Sequence, residues 1–186
     1  MDFKALMEEA RTCRRFVEEK PLGMADLEWL APSARNAQSL RFALVGHGPA
    51  CQKLFALTRW AAALKDWGGP HEGERPTGFI VILAPADAGQ LVFYDVGIAA
   101  QSMQLAAASR GWGCCMIYSF DHKAVPELLR VPADMKAALV LGLGLAREKR
   151  VVAPLPADGS VQYWRDAQGV HHVPKRPLED LIAGRY

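Results

Sequence analysis

The run "GFIVILA", residues 78–84, is the feature that most constrains this chain. It has the length of an ordinary strand, is rich in β-branched side chains, and sends no polar residue out to water, so it must be covered on both faces. "AALVLGLGLA" (137–146) has the same character and is too short to span a bilayer as a helix. Two doubly buried strands require helical layers above and below them. Residues 90–109, dense in Ala, Gln, Leu and Met and apolar nearly all round, predict a central rather than a superficial helix.

The remaining segments supply the other layers. Phe3, Leu6, Met7 and Ala10 share one helical face over 2–10, with Asp2 available as a cap, and a short helix over 24–31 is closed by Pro32. "RFALVG" (41–46) reads as a strand, and Pro49 opens a longer helix carrying Leu54, Leu57, Ala61 and Leu64. "GCCMIYSF" (113–120) predicts another strand, followed by a helix around 121–130. "VQYWRDAQGVHHV" reads as strand, turn, strand, and "RPLEDLIAG" as a closing helical turn or two. The order implies an α+β fold, a mixed β-sheet flanked by helices, in a single domain over 1–186.

A formal net charge of +2 without a basic stripe argues against nucleic acid as a partner. The first twenty residues alternate charged and apolar side chains and hold no hydrophobic signal core, so a cytoplasmic protein without a membrane anchor is expected. Cys13, Cys51, Cys114 and Cys115 form no C-x-x-C pair, and the adjacent two would face opposite sides of a strand. The five histidines show no metal-ligand spacing, and no catalytic acid–base dyad is visible.

Two stretches concentrate hydrogen-bonding groups. "RTCRRF" gathers Arg11, Arg14 and Arg15 with Thr12 after a helix. It is either a solvated charge cluster or a phosphate site in which Arg11 and Arg15 act as bidentate donors and Thr12 assists. "APSARNAQ" (31–38) sets Ser33, Asn36 and Gln38 where the chain is about to enter the core. A loop would account for one such residue. Three buried polar groups need partners, and a bound heterocycle could supply them to amides that both donate and accept.

"RTCRRF", "APSARNAQSLRF", "YDVGIAAQSMQLAAASRGWGCCMIYSF" and "LVLGLGLAREKR", in that order and spacing, resemble the FMN-dependent nitroreductase family over about residues 8 to 149, with "VHHVPKRPLEDL" as a continuation. The resemblance implies a nitroreductase-like mixed sheet and an intertwined homodimer with FMN at each interface. It implies an oxidoreductase passing electrons from NADH or NADPH, in ping-pong order, to a small-molecule acceptor such as a nitroaromatic or quinone. Arg11, Thr12, Cys13 and Arg15 match the phosphate- and ribityl-binding segment. Pro32, Ser33, Asn36 and Gln38 match the loop that the partner subunit lays against the ring. Tyr118 and Ser119 match the strand end near flavin N5. Lys175 and Arg176 match a late basic pair that finishes the phosphate site, with Arg147 or Lys149 as alternatives. Flavin N5 carries the chemistry, so no catalytic side chain is implied.

Two rivals stand beside this. "GHGPAC" (46–51) follows a strand and opens a helix like the start of a dinucleotide fingerprint, but Pro49 removes an N–H and Cys51 occupies the third small-residue position. A non-catalytic protein that sequesters or senses FMN would carry the same binding groups as an enzyme.

Overall fold

The computed structural model describes residues 2–31, 38–60, 64 and 67–186. Its elements in chain order are α1 (Phe3–Glu9), α2 (Met24–Leu30), β1 (Arg41–Val45), α3 (Pro49–Ala56), β2 (Gly78–Pro85), α4 (Gln90–Ser109), β3 (Trp112–Ile117), α5 (Ala124–Leu129), β4 (Met135–Leu145), β5 (Arg150–Pro154), β6 (Trp164–Arg165) and β7 (His171–Lys175). A single 3₁₀ turn, Leu178–Leu181, follows. The main sheet has the order β1–β2–β4–β3 with every pairing antiparallel. A second sheet, β5–β7–β6, pairs β5 with β7 in parallel and β6 with β7 antiparallel.

The buried run is β2, and its alternate side chains build two cores. Ile80 and Ile82 join Leu27, Leu30, Met103 and Leu141 under α2 and α4. Phe79 and Val81 join Phe16, Leu54, Val125 and Val140 on the other face, under α3 and α5. Cys114 falls in the first core and Cys115 in the second, as the alternation along a strand requires.

Several sequence expectations are corrected. The helix from Pro49 stops at Ala56, because Thr58 leaves it to pair with Phe120 while its Oγ1 donates to the Phe55 carbonyl and accepts from Trp60 Nε1. Leu57 is therefore its cap, Leu64 lies outside any helix, and Ala61 falls outside the described residues. β3 ends at Ile117, leaving Tyr118 and Ser119 beyond the strand. β5 was not legible in the sequence, since its partner β7 lies about twenty residues further along.

The longest helix, α4, is not buried all round. Val96, Ala99, Ala100, Met103 and Ala107 face the core, while Leu91, Phe93, Tyr94 and Ile98 stay exposed. Phe3 and Met7 on α1 are exposed as well. Among the described residues no helix is long and apolar enough to cross a membrane.

Candidate functional site

The arginine-rich segment is docked by a glycine notch. Gly113 on β3 and Gly144 on β4 are cross-strand partners. A Cβ at Gly113 would collide with the Cys13 side chain, and one at Gly144 would stand 3.0 Å from the Phe16 ring. Only glycine at both positions lets the segment lie this close to the sheet. Thr12 then bridges Cys114 in parallel, the Cys13 N–H donates to the Cys114 carbonyl at 2.9 Å, and Phe16 bridges Ala146.

Side chains alternate from Thr12 to Arg15, and the alternation parts Arg14 from Arg15. Cys13 turns inward and is fully buried. Thr12 and Arg14 turn toward a cavity of about 250 Å³, which Arg11, Lys175 and Gln104 also line. His171, from β7, and Tyr163, just before β6, line it as well. The walls carry three cations, Arg11, Arg14 and Lys175, and no carboxylate. Arg11 Nε is buried there without a partner among the described residues.

Arg15 points elsewhere. Its guanidinium is engaged bidentately by Glu74, with Nε donating to Oε2 at 2.8 Å and a second bond from Nη2 to Oε1. The Arg15 hydrogen bonds hold the Glu74 carboxyl below its usual range. Arg147 approaches Glu74 at 4.0 Å and donates to the Gly73 carbonyl. Arg147, Lys149 and Arg176 are exposed, and none of them lines the cavity. Of the basic residues singled out in the sequence, Arg11 and Lys175 are brought together. Arg14 of the same cluster joins them, and Tyr163, His171 and Gln104 were not expected there.

The floor beneath the cavity is electrostatically balanced. Glu148 is buried, accepts from the Arg14 backbone N–H at 2.6 Å, and pairs with Arg165 at 3.0 Å. Arg150, its side chain almost wholly enclosed, pairs with Glu9 at 2.8 Å. His171 is 1% exposed, and burial lowers its pKa to about 4. It is therefore neutral near pH 7, and its Nε2 can accept from Arg14 Nη1 at 3.4 Å, since a guanidinium only donates.

The four cysteines are free and buried. Burial pushes Cys13 and Cys51 up to about 11, Cys115 up to about 12 and Cys114 well above its ordinary value. Burial therefore disfavours the thiolate form of all four at neutral pH.

The groups expected at a flavin ring are more dispersed. Tyr118 is 70% exposed at the end of β3, with the His122 ring 5.2 Å away, and Ser119 is exposed beside it. Pro32, Ser33 and Asn36 lie outside the described residues. Gln38 is exposed, has φ 49°, and offers its carbonyl to Arg41 Nη1 at 2.7 Å. β1 and the Thr12 segment occupy opposite edges of the sheet, and Arg41 pairs toward the end of β2 that lies away from Cys114. At about 3.3 Å per residue along a strand and about 4.8 Å between strands, Arg41 and Thr12 are separated by on the order of 25 Å.

The family model described as Nitroreductase family matches residues 2–145. The chain belongs to that family. No curated protein matches the sequence. Solved structures do share the nitroreductase fold. A nitroreductase family protein from Streptococcus pneumoniae TIGR4 is 16% identical and aligns over 99% of this chain and 100% of its own, with a TM-score of 0.65. One from Clostridium novyi NT is 20% identical over 79% of this chain and 86% of its own, at 0.63. An FMN-dependent nitroreductase from Clostridium difficile R20291 is 22% identical over 77% and 87%, at 0.59.

Proposed function

We propose that this nitroreductase is an FMN-dependent NAD(P)H oxidoreductase that works as a homodimer. The observation that carries the reading is the cavity, where Arg11, Arg14 and Lys175 converge without a carboxylate beside Thr12. A cationic recess of this kind suits the phosphate of a flavin mononucleotide, with guanidinium groups giving charge-assisted hydrogen bonds and Thr12 a further donor. Bound FMN supplies the electron transfer between NADH or NADPH and an acceptor such as a nitroaromatic or quinone, in ping-pong order.

The chain's own work is to bind, orient and shield. Arg11, Arg14 and Lys175 hold the phosphate, and the segment that presents two of them is fixed by the glycine notch. Tyr118 and Ser119 lie just beyond the end of the edge strand β3, and in this reading their backbone borders the ring. Cys13 contributes packing, and Arg15 contributes a buried-side ion pair with Glu74. Gln38 lies just before β1, which forms the opposite edge of the sheet. The separation between that edge and Thr12 exceeds what one mononucleotide can bridge, so the ring in one cavity is met by the loop of a second copy. The exposed apolar face of α4, formed by Leu91, Phe93, Tyr94 and Ile98, gives that second copy a surface to cover.

The test has two stages. Freshly purified protein should be yellow, or take up FMN saturably, and should sediment as a dimer. Anaerobic rapid mixing with NADH or NADPH should then bleach the flavin band. Colourless protein with no saturable uptake defeats the cofactor assignment. Uptake without reduction over minutes leaves a flavin-binding protein rather than an oxidoreductase.

A further inference from the structure

Most of the cavity wall is built on parts of the chain that are firmly held. Gln104 stands on α4, His171 and Lys175 on β7, and Thr12 and Arg14 on the segment seated in the glycine notch. Tyr163 is the exception. It precedes β6, which is only two residues long, and follows residues 155–162, which form no helix or strand. The hydrogen bonds within that stretch are local: the Gly159 N–H donates to Pro156, the Ser160 N–H to Asp158 and the Gln162 N–H to Ser160. Val161 is 62% exposed, so the last aliphatic side chain before Tyr163 does not anchor it.

Directly after Tyr163 the chain is fixed. Trp164 stacks on His172 at 4.9 Å with the rings 3° from parallel. Arg165 reaches the enclosed Glu148 at 3.0 Å and the face of Trp67 at 4.3 Å. A weakly held stretch joined to a firmly held one makes a hinge at the junction. The Tyr163 ring at that junction has the Arg14 guanidinium 4.7 Å from its centre and the His171 ring 5.2 Å away. Face contacts of this kind are modest and readily broken and remade. We propose that Tyr163 is a gate, which rests on Arg14 and His171 when shut and swings out with residues 155–162 to let the cavity's ligand in and out. The gate sets the rate of exchange and not which ligand is recognised. It rests on the flavin reading above for the identity of that ligand.

The test is stopped-flow binding and release of FMN by wild type, Tyr163→Phe and Tyr163→Ala, followed by flavin fluorescence. Phenylalanine keeps the ring and should keep the wild-type rates. With a gate shut about nine-tenths of the time, Tyr163→Ala should raise the association and dissociation rate constants together by about tenfold and leave Kd within about threefold. The matched change separates a gate from a ligand contact, whose loss acts on dissociation and weakens Kd. Unchanged rates in Tyr163→Ala overturn the proposal, and so does faster dissociation alone. Hydrogen exchange of the wild-type protein checks the hinge without any substitution. Amides of residues 155–163 should exchange faster than those of β7, and equal protection overturns the proposal. Failure of the flavin reading is distinct, because wild type itself would then take up no FMN.

Discussion

The two halves of α4 teach different things about this protein. Its second half buries Ala100, Met103, Ala107 and Ala108 in the core and turns Gln104 to a cavity completed by the same chain. Its first half carries Leu91, Phe93, Tyr94 and Ile98 into solvent. One end of the helix thus helps to finish a polar recess within a single copy. The other end is an unfinished apolar surface. A cofactor whose anionic tail sits at the first and whose ring depends on a second copy would need both, and mutations at the two ends should separate tail binding from assembly.

The largest expected effect is at the open end. Ile98→Asp should place an unpaired carboxylate in the dimer contact, at a cost of about 3–5 kcal/mol, or roughly two to four powers of ten in dimer dissociation. Sedimentation velocity should show monomers at concentrations where wild type is dimeric, and FMN should be retained poorly although the cationic cavity is intact. A variant that stays dimeric with normal FMN binding would remove α4 from the interface.

Substitutions at the closed end should leave assembly alone. Arg11→Ala and Arg14→Ala should each weaken FMN binding by about 1.5–3 kcal/mol, the range for a hydrogen bond to a charged group, while the protein still sediments as a dimer. Equilibrium titration of the flavin-free protein checks this. Unchanged affinity in both would dissolve the contrast between the two ends.

Arg15→Ala sharpens the comparison from inside a single segment. Its side chain is spent on Glu74, so FMN affinity should hold while unfolding stability falls by about 1–2 kcal/mol, read from denaturant midpoints. A loss of FMN affinity equal to that of Arg14→Ala would place both arginines on the same ligand.

The last effect appears only in acid. His171 has its pKa depressed from 6.5 to about 4 by burial, beside Glu148, Arg14, Arg165 and Arg150. Between those two values the unfolded chain binds the extra proton, so stability rises with pH and is lost as the solution is acidified from about 6.5 toward 4. Glu74, depressed by Arg15, acts in the same direction further down, losing its contribution as pH falls through its folded value. His171→Asn should flatten the upper part of the slope in urea unfolding measured from pH 7 to 4. An unchanged slope would assign the acid sensitivity elsewhere.

Much of this was legible from residue order. The doubly covered strand, the central helix with its observed limits of 90–109, and the opposite-facing Cys114 and Cys115 all follow from local periodicity and composition. Within "RTCRRF", Arg14 and Arg15 could have been parted by the period of two that holds in any extended segment, but Arg11, of the same parity as Arg15, lines the cavity all the same. Gln104 gave no local signal, because a glutamine in a helix is ordinarily solvated.

What the sequence determined by itself was what short-range spacing dictates: which runs must be buried, where helices start, and which residues carry charge or amides. Only the tertiary structure decided who meets whom. It set Lys175 and Tyr163 from the C-terminal segment beside Arg11, gave Arg15 to Glu74, and left half of α4 uncovered. The physical reason is that periodicity fixes the face on which a side chain lies. The partner on that face is chosen by strand register and by the close approach that Gly113 and Gly144 permit, and both depend on residues far apart in the chain.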